Sequence, residues 1–339
     1  NIDPGSYTFR VIGSNNDGVW NYEGVSIDLI ISPPWWQTGW AYAFYILFGI
    51  GLAYSSHKFQ QARVIKRERD RARITEAELH AQAAEAEARA MQAENKRKTN
   101  ELEEARKLQL SMLPKNLPNL PYLDIAVHMQ TATEVGGDYY DFFNNGDNSL
   151  IIVIGDATGH GLKAGTMVSV IKSLFISSAG NTNIKSFFEK CTQTIKQMNL
   201  GNLYMALSFV KIQNDQLIVS CAGMPPIYIY RNATKTVEPI LLKGMPLGAF
   251  DNFEYQDAKV KLNEGDTVLL FSDGLAELFN NKKEMYDYPR IISTFKKIGQ
   301  NSSQLIIDDL VKEVDKWRNG NPPNDDVTFV VLKVKNSKK

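Results

Sequence analysis

The sequence predicts an α+β chain in which a short β segment and a long stretch of helix lead into a layered domain of interleaved strands and helices. Three observations predict it. Apolar residues alternate with period two in residues 1–34; residues 58–113 contain neither Pro nor Gly; and from Tyr122 onward β-branched runs exchange with amphipathic helical spacing. At 339 residues, with 38 basic side chains balancing 38 acidic ones, the chain has room for about two to three domain-sized units. Apolar residues make up 43% and exclude wholesale disorder, and the charge balance gives no global attraction to nucleic acid. Cys191 and Cys221 are too few for a disulfide framework and read as free thiols of a reducing compartment.

In residues 1–34, Tyr7, Phe9 and Val11 share one face, as do Val25, Ile27, Leu29 and Ile31, with the turn signal Asn15-Asn16-Asp17-Gly18 between them. A unit this small, with no disulfide or metal, cannot bury enough surface to fold alone. It is therefore expected to be the end of a β-sandwich whose earlier strands precede it. Its pattern from Pro4-Gly5-Ser6-Tyr7-Thr8-Phe9 through Asp17-Gly18-Val19-Trp20 to Pro33-Pro34-Trp35-Trp36 resembles the end of the triple-tyrosine (Y_Y_Y) domain of bacterial sensors.

Residues 35–54 are expected to form one transmembrane helix. No formal charge occurs from Leu29 to Ser56, and about 20 residues at 1.5 Å rise match a bilayer's hydrocarbon of about 30 Å. Trp35, Trp36 and Trp40 at one end and Tyr54 at the other suit interfacial belts. Lys58, Arg63, Lys66, Arg67, Arg69, Arg71 and Arg73 then outnumber Glu68 and Asp70. By the positive-inside rule, residues 55–339 are expected in the cytoplasm and 1–34 outside, in a single-pass protein of a bacterial inner membrane. A buried core helix is the alternative, because Gln37, Thr38 and the glycines dilute the run.

Residues 55–113 read as a helical linker. Glu94/Lys98 and Glu103/Lys107 have the supportive i,i+4 spacing, and Ile65, Ala72, Leu79, Ala86 and Ala93 repeat every seven until Asn100. This predicts a coiled coil and a homodimer through the linker; a single solvated helix is the alternative. His80 reads as a solvated helix residue, and Pro114, Pro118 and Pro121 end the element.

In residues 122–339, strands are expected at 123–130, 149–155, 204–213, 216–221, 226–231, 266–272 and 327–334, and helices at 161–178, 183–198, 288–298 and 302–318. Aspartates recur where strands meet turns. Asp138 follows Gly136-Gly137, Asp156 ends Leu150-Ile151-Ile152-Val153-Ile154-Gly155, Asp273 ends Val268-Leu269-Leu270-Phe271-Ser272, and Asp325-Asp326 precede Val327. One Asp beside Gly is ordinarily a turn residue. Four carboxylates converging on one sheet edge would repel strongly unless a counter-charge is present, and hard divalent cations such as Mg²⁺ or Mn²⁺ supply it through oxygen ligands. No Cys/His spacing suits zinc.

The segments Gly136-Gly137-Asp138-Tyr139-Tyr140-Asp141-Phe142, Gly155-Asp156-Ala157-Thr158-Gly159-His160-Gly161, Ser272-Asp273-Gly274-Leu275 and Asp325-Asp326-Val327-Thr328, in this order, resemble the metal-dependent serine/threonine phosphatases of the SpoIIE/RsbU type within the PPM family. Ala105-Arg106-Lys107-Leu108-Gln109, Ala222-Gly223-Met224-Pro225-Pro226 and Gly244-Met245-Pro246-Leu247-Gly248 support the resemblance, which spans about residues 105–335. It implies an αββα sandwich with two Mn²⁺ or Mg²⁺ ions held by Asp138, Asp156, the carbonyl of Ala157, Asp273 and Asp325. It also implies hydrolysis of phosphoserine or phosphothreonine by a metal-activated water rather than a protein nucleophile. Met224 departs from the family's His at a position read as structural. His160 is a secondary candidate for general acid, since relatives often carry Lys there, and Asp141 is expected to hydrogen-bond rather than ligate. By family analogy the partner is a phosphorylated anti-sigma-factor antagonist, with control exerted by an extracytoplasmic sensor through the linker. Two rivals remain: a phosphatase-shaped module that only binds a partner, and a two-metal nuclease or nucleotide cyclase, for which the sequence shows neither a basic-groove pattern nor a nucleotide-binding motif.

Overall fold

A computed structural model of the chain describes residues 2–132, 135–146, 149–178, 183–199 and 201–335. Residue 1 of the expected sandwich remnant, and residues 133–134, 147–148, 179–182, 200 and 336–339 of the expected catalytic domain, lie outside the described residues. The chain divides into two compact units, Asn1–Gln92 and Ala93–Lys339.

The first unit opens with an antiparallel hairpin of β1 (Gly5–Ser14) and β2 (Trp20–Ile31), in which Tyr7, Phe9 and Val11 stand opposite Leu29, Ile27 and Val25. Pairing in this register follows from the period-two patterning. The turn closes where Gly18 takes a positive φ of 82° and its N–H donates to the Asn15 carbonyl. A 3₁₀ turn, Trp35–Gln37, leads to the 74-residue helix α1 (Gly39–Met112). On the part of α1 that belongs to the second unit, the exposed pairs Lys98–Glu94 at 2.9 Å and Lys107–Glu103 at 3.3 Å form.

The membrane assignment is corrected. Among the described residues no helix is long and apolar enough to cross a membrane. The uncharged stretch 35–54 is split by the 3₁₀ turn, so helix begins only at Gly39, and the helical part is diluted by Trp40, Tyr42, Tyr45, Gly49, Gly51 and Tyr54 before Ser55 and Ser56 follow. Aromatic residues with polar tips and glycines lower the transfer free energy of such a run well below that of an aliphatic one. The two-sided placement of residues 1–34 and 55–339 falls with it.

The second unit is built on two five-stranded antiparallel sheets. Its strands are β3 (Leu123–Gln130), β4 (Asp138–Asn144), β5 (Ser149–Ala157), β6 (Met205–Gln213), β7 (Gln216–Ala222), β8 (Ile227–Arg231), β9 (Thr236–Ile240), β10 (Asp257–Lys261), β11 (Thr267–Phe271) and β12 (Val327–Val334). One sheet has the order β10-β7-β6-β5-β4 and the other β3-β12-β11-β8-β9. Alternation along single strands makes the layers. Leu150, Ile152 and Ile154 of β5 join Val268, Leu270, Val330 and Leu332 in the core between the sheets. Ile151 and Val153 point the other way, into a core shared with α2 (Leu162–Ser178) and α3 (Ile184–Gln197). Leu269, Phe271, Phe329 and Val331 face α5 (Asp287–Ile298) and α6 (Ser303–Arg318). Three continuous cores under two helical layers give a four-layer α/β/β/α sandwich, with a short helix α4 (Asp273–Ala276) after β11.

Candidate functional site

The strand ends that carry the aspartates meet at one end of the sandwich. Asp138 opens β4 and stands directly opposite Asp156 of β5 in the antiparallel ladder. Like charges at facing positions destabilise a strand pair, so this sheet edge is under electrostatic load. From the other sheet come Asp273, the first residue of α4, and Asp325 with Asp326, just before β12. Two contacts stitch the sheets together here: Ser272 Oγ donates to Asp138 Oδ2 at 2.8 Å, and the Gly137 N–H donates to Asp326 Oδ2 at 2.6 Å.

Asp326, 3% exposed, organises backbone. Its carboxylate also accepts from the N–H groups of Ala132 at 2.7 Å and Asp138 at 3.3 Å. The paired glycines are required by these approaches. A Cβ at Gly136 would lie 2.1 Å from Asp326 Oδ2; one at Gly137 would lie 2.5 Å from Asp156 Oδ1 and 2.7 Å from the Ala157 carbonyl. Asp156 Oδ1 and the Ala157 oxygen thus flank the Gly137 α-carbon, a cradle that any side chain would fill.

Four carboxylates are held above their ordinary pKa range. Burial, then the neighbouring Asp156, pushes Asp138 well up. Burial, then Asp273 and Asp325, pushes Asp156 up to about 8. Burial followed by Asp325 raises Asp273, and burial raises Asp325 against the opposing hydrogen bond it accepts from the Asp326 N–H. Among the described residues none of the four forms an ion pair with Lys, Arg or His. Among the described residues Asp138 Oδ1 is buried with no hydrogen-bond partner in reach, although the nearby Thr328 hydroxyl opposes the rise in its pKa. A buried carboxylate oxygen without a donor is costly, and carboxylate plus carbonyl oxygens are the donor set of hard divalent cations. In donor chemistry the residues fit such a cation. Their present arrangement is not a closed cage: among the described residues no group of three or more His, Cys, Asp or Glu side chains is arranged to hold a metal ion. A cleft of about 150 Å³ runs beside them, lined by Gly137, Asp156, Gly159, His160, Asp325 and Asp326.

The sequence model of the family described as Stage II sporulation protein E (SpoIIE) matches residues 146–335, more than half of the chain. The chain belongs to the SpoIIE family. It is 28% identical over 243 residues to "Phosphoserine phosphatase RsbU" of Bacillus subtilis, covering 70% of each protein. It is 25% identical over 262 residues to "Protein IcfG" of Synechocystis, covering 68% of this chain and 41% of that relative. The chain therefore spans less than half the length of IcfG. Among solved structures, the SiaA-PP2C domain of Pseudomonas aeruginosa superposes with a TM-score of 0.62 at 19% identity, covering 71% of this chain and 98% of that domain. At that identity the likeness concerns the fold.

Against the SpoIIE-family expectations, the structure brings Asp138, Asp156, Asp273 and Asp325 to one end of the sandwich, with the Ala157 carbonyl beside Gly137. His160 lies at the exposed cleft wall, close enough to Asp325 to act on it electrostatically. Asp141 takes no part in the cleft; it accepts from Tyr139 Oη at 2.9 Å and Lys172 Nζ at 2.7 Å, tying β4 to α2. Met224 is buried in the inter-sheet core. Sequence reasoning did not single out Ser272, Asp326 or Gln109 as working residues. Gln109, the one buried residue of α1, bonds Gly136. The doubled acid Asp325-Asp326 carried a signal for the second, since two adjacent strand-entry carboxylates point in opposite directions. Gln109 closes the family-like segment Ala105–Gln109, but that segment carries no mark of a contact to Gly136.

Proposed function

We propose that this SpoIIE-family chain is a divalent-metal-dependent protein phosphatase acting on phosphoserine or phosphothreonine. One observation carries the reading: four mutually repelling carboxylates, unpaired with any cation among the described residues, gathered at one end of two sheets beside an open cleft. Asp138, Asp156, the Ala157 carbonyl, Asp273 and Asp325 are the groups that would hold two Mn²⁺ or Mg²⁺ ions. When bound, such ions lower the pKa of water and neutralise charge on a phosphoryl group. The remaining work belongs to the chain. Ser272 fixes the rotamer of Asp138, Asp326 fixes the backbone on which Asp138 sits, and the glycine pair opens the approach to the cleft. Hydrolysis of an aryl phosphate in millimolar Mn²⁺ by the wild type, lost in Asp156→Asn and Asp273→Asn, is the expected result; a wild type inert towards both aryl phosphate and phosphoproteins sinks the reading.

The second reading is a non-catalytic partner-binding module, which the same inert wild type would support. The similarity to RsbU supports a phosphorylated anti-sigma-factor antagonist as substrate. The Y_Y_Y-like pattern of residues 4–36 supports a signal arriving from an N-terminal sensor through α1. The exposed apolar positions Ile65 and Leu79 support pairing of two α1 helices in a homodimer, which light scattering of the full chain tests.

A further inference from the structure

Away from the aspartates, α5 and α6 enclose a groove of about 330 Å³ with unusual charge. Arg290 and Lys297 of α5 and Lys316 of α6 line it, against one acid, Glu313. Elsewhere on α6 the cations are neutralised within one turn: Lys312 by Asp309 at 3.7 Å and Arg318 by Asp315 at 2.5 Å. The three groove cations have no carboxylate within ion-pair distance among the described residues. An aromatic floor holds one of them in place. The Arg290 guanidinium lies 4.0 Å over the Trp317 ring, and Tyr286 packs edge-on to Trp317 with centroids 5.8 Å apart. Trp317 itself is anchored by its indole N–H to the Leu278 carbonyl at 3.1 Å. A cation stacked on an anchored indole loses less freedom on binding an anion than a free surface lysine does.

A short run of neighbours links the groove to the aspartate end of β11, since Asp273 acts electrostatically on Tyr288. Tyr286, which lines the groove, is two residues from Tyr288, whose ring contacts Phe271, the last residue of β11 before Ser272-Asp273. From the start of α5 to Lys297 the helix rises about 15 Å, a span that an extended peptide covers in about five residues.

We propose that this groove docks an acidic segment of the phosphoprotein substrate, placed about four to eight residues from the phosphorylated side chain. The proposal deepens the phosphatase reading and rests on it only for the word substrate. Arg290, Lys297 and Lys316 bind carboxylates of the segment, and the Tyr286–Trp317 floor packs under its chain.

Two measurements on the full chain test it. In the first, fluorescein-labelled hexaglutamate and hexaglutamine peptides are titrated at low salt. Hexaglutamate is expected to bind saturably, to weaken with added salt, and to lose about tenfold or more in affinity in the Lys297→Glu/Lys316→Glu variant, whose altered positions are exposed and whose melting temperature is expected to match the wild type's. In the second, two phosphoserine peptides differing only in a Glu or Gln tail are compared. The Glu tail is expected to lower KM in the wild type and to raise it in the variant, with aryl phosphate turnover unchanged. Equal binding of the two hexapeptides, an unaffected variant, or lysine-dependent binding of phosphatidylglycerol vesicles or a DNA 12-mer in place of hexaglutamate overturns the proposal. A wild type inert on every phosphate ester removes the phosphatase reading while the hexaglutamate titration still decides the groove.

Discussion

Gln109 and Gly136 are joined by two hydrogen bonds: Gln109 Nε2 donates to the Gly136 carbonyl at 2.7 Å, and the Gly136 N–H donates to Gln109 Oε1 at 3.1 Å. A primary amide satisfies a backbone peptide on both sides only if donor and acceptor are both present. The last turn of α1 therefore holds the loop that enters Asp138. Gln109→Ala leaves a buried N–H and C=O unpaired, at about 1–3 kcal/mol each, and frees the loop. We expect a lower melting temperature and a weaker apparent Mn²⁺ affinity in aryl phosphate assays. Gln109→Glu, which keeps the acceptor and loses the donor, should fall between wild type and Gln109→Ala. A Gln109→Ala protein with unchanged metal dependence would assign the bond a purely structural role.

Asp325 and Asp326 are adjacent and behave oppositely. Among the described residues Asp326 accepts three backbone N–H bonds from residues distant in sequence, whereas Asp325 accepts one, from the N–H of Asp326 at 2.8 Å, and lines the cleft. Asp326→Ala strands those buried donors and is expected to cost roughly 3–5 kcal/mol in urea unfolding. Asp325→Asn removes a repelling charge and is expected to leave metal-free stability equal or higher while lowering turnover about a hundredfold or more. Equal destabilisation by both would contradict this division.

The raised carboxylates give the metal-free protein a pH dependence of fixed sign. Asp156 titrates near 8 in the fold against an ordinary value of 3.8. Between those values the unfolded chain has lost a proton that the folded chain retains, so stability is fully present below about pH 4 and declines as pH rises through 8. Thermal melts in EDTA are expected to show a falling melting temperature from pH 6 to 9, flattened in Asp156→Asn. Millimolar Mn²⁺ should reverse the trend, because a bound cation stabilises the ionised form. A melting temperature that climbs over this range in EDTA would refute the sign.

Legibility followed burial. The strands read from sequence alone, β5, β6, β7, β11 and β12 among them, lie inside the two sheets or carry β-branched runs against a core. The three strands that escaped, β4, β9 and β10, each form a sheet edge, where one side faces solvent and residues such as Lys259 and Glu238 replace the apolar alternation. For β4, the Gly136-Gly137-Asp138 run read as a turn, because its glycines serve close approach to Asp326 and Asp156 rather than a bend. The aspartates were visible because each interrupts an apolar run. Gln109 was visible as the end of a family-like segment, but its role was not, because its partner is the Gly136 backbone, which leaves no trace in side-chain pattern. The apolar stretch 35–54 misled because a charge count ignores how tyrosine, tryptophan and glycine dilute hydropathy.

His160 tests whether the chain itself supplies a proton. It lines the cleft with Asp156 and Asp325, yet it is exposed and, among the described residues, makes no hydrogen bond that would fix its tautomer or aim a ring nitrogen. A positioned general acid contributes about 10²- to 10⁴-fold, whereas an unpositioned imidazole contributes only local charge near Asp325. His160→Ala is therefore expected to lower kcat on an aryl phosphate by less than about tenfold. Loss should be no greater on a phosphoserine peptide, whose alkoxide leaving group needs a proton far more than an aryl oxide does. A selective collapse on the phosphoserine peptide, together with loss of the alkaline limb of its pH–rate profile, would instead make His160 the acid. The comparison of the two leaving groups separates that role from simple electrostatics, which would depress both to the same extent.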